Sequence, residues 1–279
     1  MASLNKDKAS SFSMNKVFKV GLIGCGHIAE TYFRGHQYFN NFKIVACADI
    51  NQKAADKCAK LYNIKSKTVN ELLKDKEIDA ILNLTIPQSH YSVSKRVLNS
   101  GKHVYSEKPL ATYFEKGKEL VALAKKKKLY IGNAPDTFLG GGIQKARDLI
   151  DSDLIGDIKL GNAIFAFPGV ESFHPKPESW YRKEGGPVID MGPYFFTTLV
   201  NLLGPAKQVQ GRTLTAFKKR IYGAGPKKSK SFKVETPTTY LATIQFHTGA
   251  IIQVTLSFDV VNHQRNHMEL YGTKGSIIV

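Results

Sequence analysis

Two short clusters, Glu107-Lys108-Pro109 and Asp190 with Tyr194, carry the residue types that proton transfer at an alcohol or carbonyl requires. The Lys108 ammonium can bind and polarise a hydroxyl or carbonyl oxygen, and it favours the ionised form of an acid beside it. Glu107 can orient that lysine or touch a nicotinamide ribose. Asp190 and Tyr194 stand four residues apart at an expected helix start and so share one face. A carboxylate beside a phenol can relay or steady a proton, and taking a hydride from an alcohol requires its proton to leave as well. Both clusters also have a plain structural reading. Glu107-Lys108 serves equally as a surface ion pair before a turn proline, and Asp190 as a helix N-cap with Tyr194 as a packed aromatic.

A third cluster suits a nucleotide. Gly24-Cys25-Gly26-His27-Ile28-Ala29 fills the G-x-G-x-x-A positions after the apolar run 16–23. The first glycine permits a tight turn, the second lets the backbone approach a pyrophosphate, and the third small residue keeps helix and strand close. The alternative is an ordinary glycine-containing turn. Asp49 lies twenty residues beyond Ala29, at the end of the run 42–47. A carboxylate there accepts hydrogen bonds from an adenosine ribose and repels a 2′-phosphate, which favours NAD over NADP. Lys53 nearby softens that exclusion, and Asp49 can instead cap the following helix.

These residues need a frame. Five apolar runs in the first half end on polar or ligand-type residues: at Gly24, at Asp49, at Thr85-Ile86-Pro87, at Glu107-Lys108-Pro109 and at Asn133. Open α/β sheets bind ligands outside the carboxyl ends of their strands, so five concordant ends point to a nucleotide crevice. Helices are expected over 28–37, 51–62, 69–74, 89–100 and 112–127, the last opened by a Thr112/Glu115 capping box. Strands are expected over 79–84, 102–105 and 129–132. The alternation is that of a doubly wound α/β domain with a parallel sheet.

Beyond Pro135 the pattern changes. A helix is expected over 139–150, with Leu139, Ile143, Ala146 and Ile150 on one stripe, and another over 195–203 that stops at Gly204-Pro205. Strands over 239–246, 250–258, 266–271 and 276–279 predict an α+β domain with a large, mostly antiparallel open sheet. The expected organisation is therefore a disordered extension over 1–15, a nucleotide domain over 16–135 and a substrate and dimerisation domain over 136–279.

The 279 residues suffice for two domains, and 42% hydrophobic content excludes a disordered chain. No apolar run approaches a membrane span of about 20 residues. The polar first fifteen residues lack the apolar core of a secretory signal, and Met14 reads as an alternative start. Net charge is +17, much of it in Lys125–Lys128, Lys218-Lys219-Arg220 and Lys227-Lys228 with Lys230. No aromatic interleaving or nucleic-acid reading motif accompanies these runs, so they read as solvated surface, with a residual attraction for anionic sugars or acids. Cys25, Cys47 and Cys58 read as reduced structural thiols in a cytoplasm, and no Cys or His spacing suggests a metal site.

The chain resembles the Gfo/Idh/MocA family, named for glucose–fructose oxidoreductase, inositol dehydrogenase and a rhizopine-catabolism protein. The resemblance runs from about Phe18 to Val279 and rests on Gly24–Ala29, Thr85-Ile86-Pro87 with His90, Gly101–Leu110 and Gly186–Tyr194. It implies a Rossmann domain joined to an antiparallel-sheet domain whose open face mediates homo-oligomerisation, and reversible oxidation of a sugar, polyol or cyclitol hydroxyl by NAD or NADP. Implied cofactor contacts are Gly24, Gly26, His27, Ile28, Asp49, Thr85, Pro87, His90, Glu107 and Lys108. Lys108 matches the family's catalytic lysine and Asp190 its carboxylate, and both would also touch substrate. Inositol dehydrogenases place a histidine where this chain has Tyr194, whereas glucose–fructose oxidoreductase is similar in using a tyrosine there. His174, Trp180, Tyr181 and Arg182 either line a sugar site or pack within their loop. Similar proteins continue beyond this point, so the second domain is expected to be incomplete, with Ile277-Ile278-Val279 at an edge open to pairing. Two other classes stay open: a glycosidase that oxidises its substrate transiently with bound NAD, and a catalytically silent nucleotide or sugar sensor.

Overall fold

Leu22 and Ile23 are neighbours in one strand, both almost fully buried, yet they pack into different apolar clusters. Successive strand residues point to opposite faces, so this strand is covered on both. Ile23 joins Leu72, Val97, Leu98 and Leu120 on one face, and Leu22 joins Phe33, Cys58 and Ala59 on the other. Burying each such large side chain stabilises by about 1.5–3 kcal/mol, enough to hold short strands in place.

The computed structural model describes residues 17–279, so the expected extension over 1–15 lies outside the described residues. The chain divides into two compact units between Ala134 and Pro135. The first contains β1 (Phe18–Ile23), α1 (Ala29–Gly35), β2 (Phe42–Ala48), α2 (Gln52–Tyr62), β3 (Lys65–Ser66), α3 (Val69–Lys74), β4 (Ala80–Asn83), α4 (Pro87–Asn99), β5 (His103–Ser106), α5 (Phe114–Lys127) and β6 (Ile131–Asn133). Its six strands run parallel in the order β3-β2-β1-β4-β5-β6. The chain reverses direction across the sheet between β1 and β4, and the carboxyl ends there frame a ligand crevice.

Two local expectations change. The capping box stands at Thr68 and Glu71, at the start of α3. Helix α5 opens at Phe114 with Tyr113 at the N-cap and no side-chain cap, because Thr112 lies one residue too early to take that position. The two-residue β3 has no hydrophobic pattern and escaped the sequence reading.

The second unit contains α6 (Gly141–Asp151), β7 (Ile158–Ala166), α7 (Glu178–Tyr181), α8 (Pro187–Asp190), α9 (Gly192–Leu203), β8 (Ala206–Leu214), β9 (Lys219–Ile221), β10 (Ser231–Lys233), β11 (Thr239–Phe246), β12 (Ile251–Ser257), β13 (Met268–Gly272) and β14 (Ser276–Ile278). Its large sheet has the order β14-β13-β7-β12-β11-β8 and is mostly antiparallel, with β7 and β12 parallel at its centre. Leu199, Leu202 and Leu203 of α9 and Ala146 of α6 bury Ile252, Val254, Leu256 and Leu270 on one face. Leu139 is 58% exposed, because α6 begins only at Gly141, so it leaves the predicted stripe.

The basic run around Arg220 is not all solvated surface. Arg220 sits in β9, paired with β10, and its guanidinium is buried. It donates to Glu171 Oε1 at 2.6 Å and to the carbonyls of Pro168 and Phe258 at 2.9 Å each, and it pairs with Asp259. The hydroxyls of Thr238 and Thr239 donate to Asp259 Oδ2 at 2.7 and 2.6 Å. Two carboxylates and two carbonyls thus meet the terminal nitrogens of the guanidinium and offset the cost of burying its charge, while its Nε has no partner among the described residues.

Candidate functional site

In the first unit the site residues fall at the ends of β1, β2, β4 and β5. Gly24 has φ +104°, and a Cβ added to it would lie 2.6 Å from the carbonyl carbon and oxygen of Leu84. Only glycine fits that turn. Gly26, His27 and Ile28 are exposed, and a Cβ on Gly26 would meet nothing within 4 Å. The open space lies where a dinucleotide's phosphates approach the backbone in such turns, so the residues present fit the cofactor.

Asp49 is hydrogen-bonded to the backbone on both of its oxygens. Its Oδ2 accepts the Cys25 amide and its Oδ1 the Asn51 amide, both at 2.8 Å. The N-cap of α2 is Asn51, so the carboxylate is not a helix cap; it ties the end of β2 to the glycine turn.

A second network joins β4 to β5. Asn83, fully buried, donates to the His90 carbonyl and to Ser94 Oγ at 3.0 Å, and its Oδ1 accepts the Thr85 hydroxyl at 2.7 Å. His90 is buried on α4, which opens with Pro87, and its ring bridges the carbonyls of Thr85 (2.8 Å) and Pro109 (2.6 Å). The Lys108–Pro109 peptide is cis. Glu107 accepts the Tyr32 hydroxyl at 2.9 Å and the Lys108 amide at 3.0 Å. Asn133 Nδ2 donates to the carbonyls of Ser106 and Glu107 at 2.9 and 3.0 Å. The structure thus brings Thr85, His90, Glu107 and the Lys108 backbone into one hydrogen-bonded assembly.

Sequence reasoning missed Asn83, Asn133 and Tyr32 as the supports of this assembly. A buried asparagine ending an apolar strand was the available signal, since such a side chain must find partners. Lys102 was also missed. It is buried and donates to the carbonyls of Asp75 and Ile78 at 2.5 and 2.7 Å, and burial pulls its ammonium below the usual lysine value. Lys102 is therefore a structural lysine, in contrast to the half-buried Lys108 six residues on.

In the second unit Gly186, at φ +90°, leads into α8, and a Cβ there would stand 2.9 Å from the Pro237 carbonyl. Asp190 is the last residue of α8, its amide bonded to the Gly186 carbonyl at 3.1 Å. Tyr194 lies in α9, whose N-cap is Met191, so the N-cap reading of Asp190 does not hold. Both side chains are half-buried. His174 and Trp180 meet with ring centroids 4.7 Å apart, and the Trp180 carbonyl accepts the Gly186 amide at 2.7 Å, which links this loop to the turn before Asp190. Tyr181 does not line a free surface: it is fully buried, bonded to Glu171 and packed on Phe258, and burial raises its phenol.

A strand order 3-2-1-4-5-6 with a glycine turn after β1 and a carboxylate after β2 defines a dinucleotide-binding Rossmann unit, here followed by a second unit with an open sheet. Two family models match: residues 18–134 fit an oxidoreductase family with an NAD-binding Rossmann fold, and residues 143–278 fit the Gfo/Idh/MocA C-terminal domain. The chain belongs to the Gfo/Idh/MocA family of NAD-binding oxidoreductases. It is 26% identical over 270 residues to the dTDP-3,4-didehydro-2,6-dideoxy-alpha-D-glucose 3-reductase of Saccharopolyspora spinosa, covering 95% of this chain and 75% of that protein. It is 32% identical over 242 residues to the trans-1,2-dihydrobenzene-1,2-diol dehydrogenase of Xenopus laevis, covering 84% and 66%. Its fold matches the WlbA dehydrogenase from Bordetella pertussis in complex with NADH and UDP-GlcNAcA, with TM-score 0.81 at 20% identity over 94% of this chain and 73% of that one. Among the described residues no helix is long and apolar enough to cross a membrane.

Proposed function

We propose that the chain transfers a hydride between a secondary hydroxyl on a sugar, polyol or cyclitol ring and NAD. The observation that carries this reading is the fastening of Lys108. Asn133, Asn83 and Tyr32 fix the Ser106–Glu107 backbone and the Glu107 carboxylate before it, and the His90 ring holds the Pro109 carbonyl after it, at the carboxyl end of an interior parallel strand. The two relatives named above act, by name, on a carbonyl of a pyranose ring and on a cyclic diol. The common chemistry is a ring secondary alcohol and its ketone.

NAD, when bound, supplies the hydride acceptor. Gly24, Gly26, His27, Ile28, Asp49, Thr85, Pro87, His90 and Glu107 would hold it, with Asp49 disfavouring a 2′-phosphate. Lys108 binds and polarises the reacting oxygen, Tyr194 takes the hydroxyl proton, and Asp190 steadies the proton on that phenol. His174 and Trp180 would contact the ring. We place homo-oligomer contacts on the open face of the second sheet, where Leu160, Ile251 and Tyr271 sit in register across three strands and all stay exposed. Three free cysteines support a reducing, cytoplasmic setting.

The test is NAD reduction by a panel of inositols, hexoses and their deoxy derivatives, followed by nicotinamide absorbance. Turnover with at least one ring alcohol is expected, falling about 10²–10⁴-fold in Lys108→Ala while NADH binding persists. Equal turnover in that variant would remove Lys108 from the chemistry.

A further inference from the structure

Cys25, Cys47 and Cys58 are far apart in sequence, on the glycine turn, β2 and α2. Their three sulfur atoms nevertheless lie within 4.8 Å of one another. Cys47 and Cys58 are buried and Cys25 is half-buried, so the group has two closed sides and one way in from the turn. The sulfurs have only weak alternatives: Cys25 Sγ donates to the Ala48 carbonyl at 3.7 Å and Cys47 Sγ to the Ala55 carbonyl at 3.4 Å.

We infer that these three thiols form a binding site for a soft d¹⁰ cation, monovalent copper or divalent zinc. Metal–sulfur bonds of about 2.3 Å place the sulfurs of a three-thiolate site about 4.0 Å apart. The widest pair here therefore closes by less than about one ångström, within reach of rotamer adjustment. Thiolate donors select such cations over the hard ones that carboxylates and waters hold. Asp49, at the end of β2 beside the same turn, already accepts two backbone amides, and the donors that cluster among the described residues are the three sulfurs. Binding forms three metal–sulfur bonds, releases three thiol protons to solvent and changes no oxidation state. An iron–sulfur cluster is disfavoured, because it takes four cysteines. Three small buried thiols also pack as ordinary hydrophobes, and metal capture is what separates the two roles.

Because the ligands come from the glycine turn, a strand and a helix, a bound ion would clip these three elements together. It would raise the unfolding temperature of the whole chain by linkage.

The reduced full-length protein is titrated anaerobically with cuprous ion and, separately, with zinc, each against a competing chromophoric chelator. One equivalent of either metal, thiolate-to-metal ultraviolet absorption for copper, and a higher melting temperature are expected. X-ray absorption distinguishes the arms: sulfur-only ligation for copper, three sulfurs and one oxygen for zinc. Cys58→Ala and Cys25→Ser should each weaken binding about a hundredfold or more, beyond the roughly 10–100-fold effect of an outer partner. Circular dichroism shows whether each variant folds, and one folded variant suffices. Failure of the chelator to lose either metal overturns the site. So does binding unchanged in a folded variant, or loss of two thiols to a disulfide with no metal retained.

Discussion

Removing Asp49 in two ways separates its scaffolding role from its charge. The Asn51 amide that it accepts is exposed and can turn to water when the acceptor is lost. The Cys25 amide is partly buried in the turn. Leaving a buried amide without its partner costs about 1–3 kcal/mol, and an exposed one close to nothing. Asp49→Asn keeps one oxygen, which can stay with Cys25, so its loss should stay within about 1 kcal/mol. Asp49→Ala loses both acceptors and should fall by about 1–3 kcal/mol, nearly all of it from the Cys25 amide. Both variants lose the negative charge, so both should gain NADPH affinity relative to NADH by about tenfold, or about 1.4 kcal/mol. Urea unfolding read by circular dichroism and titrations read by nicotinamide fluorescence measure the two effects on the same samples. An Ala variant as stable as the parent would refute the scaffolding argument. An unchanged NADPH to NADH ratio in both variants would refute the electrostatic one.

Tyr194→Phe keeps the ring and removes the proton acceptor, so steady-state kinetics should show kcat down by about 10²–10⁴ with KM little changed. Arg220→Met strands Glu171 and Asp259 as buried, unpaired carboxylates, and urea unfolding should report a loss of about 3–5 kcal/mol. Burial opposes ionisation of Glu178, but hydrogen bonds from Tyr222 and Lys227 outweigh it and hold its carboxyl at about 2, against 4.5 ordinarily. A carboxyl depressed in the folded state stabilises above its unfolded value, and that stability is lost as pH falls through the folded one. The parent's advantage over Glu178→Gln should thus reach at most about 3 kcal/mol at neutral pH and shrink to about 1.4 kcal/mol near pH 3, measured by urea unfolding at each pH.

The parallel sheet was legible because burial on both faces leaves continuous apolar runs, and because every run ends in a residue that makes no sense in a core. Gly24, Asp49, Thr85 and Glu107 could each be placed at a strand end from that pattern. Asn133 was placed at a strand end in the same way, but its partners, and Asn83 altogether, were not legible: both act through contacts between residues distant in the chain, and single-sequence periodicity carries no such pairing. Arg220 looked like part of a basic loop, since nothing local tells that Glu171 and Asp259 arrive from elsewhere to neutralise it. The clustering of the three sulfurs was illegible for the same reason: the linear spacing of Cys25, Cys47 and Cys58 fits no metal motif, and only packing of the glycine turn, β2 and α2 brings them together. The expected helix start near Asp190 resolved into two helices, because Gly192-Pro193 begins α9 afresh after Met191.

The most direct test of the central claim uses NADH carrying deuterium at both nicotinamide C4 positions, with the ketone of the ring alcohol that the panel identifies. Direct hydride transfer predicts product alcohol labelled with one deuterium at the former carbonyl carbon, and label accumulating about 10²–10⁴-fold more slowly in Lys108→Ala. Turnover that leaves the product unlabelled, or label in the variant at the parental rate, would contradict the account.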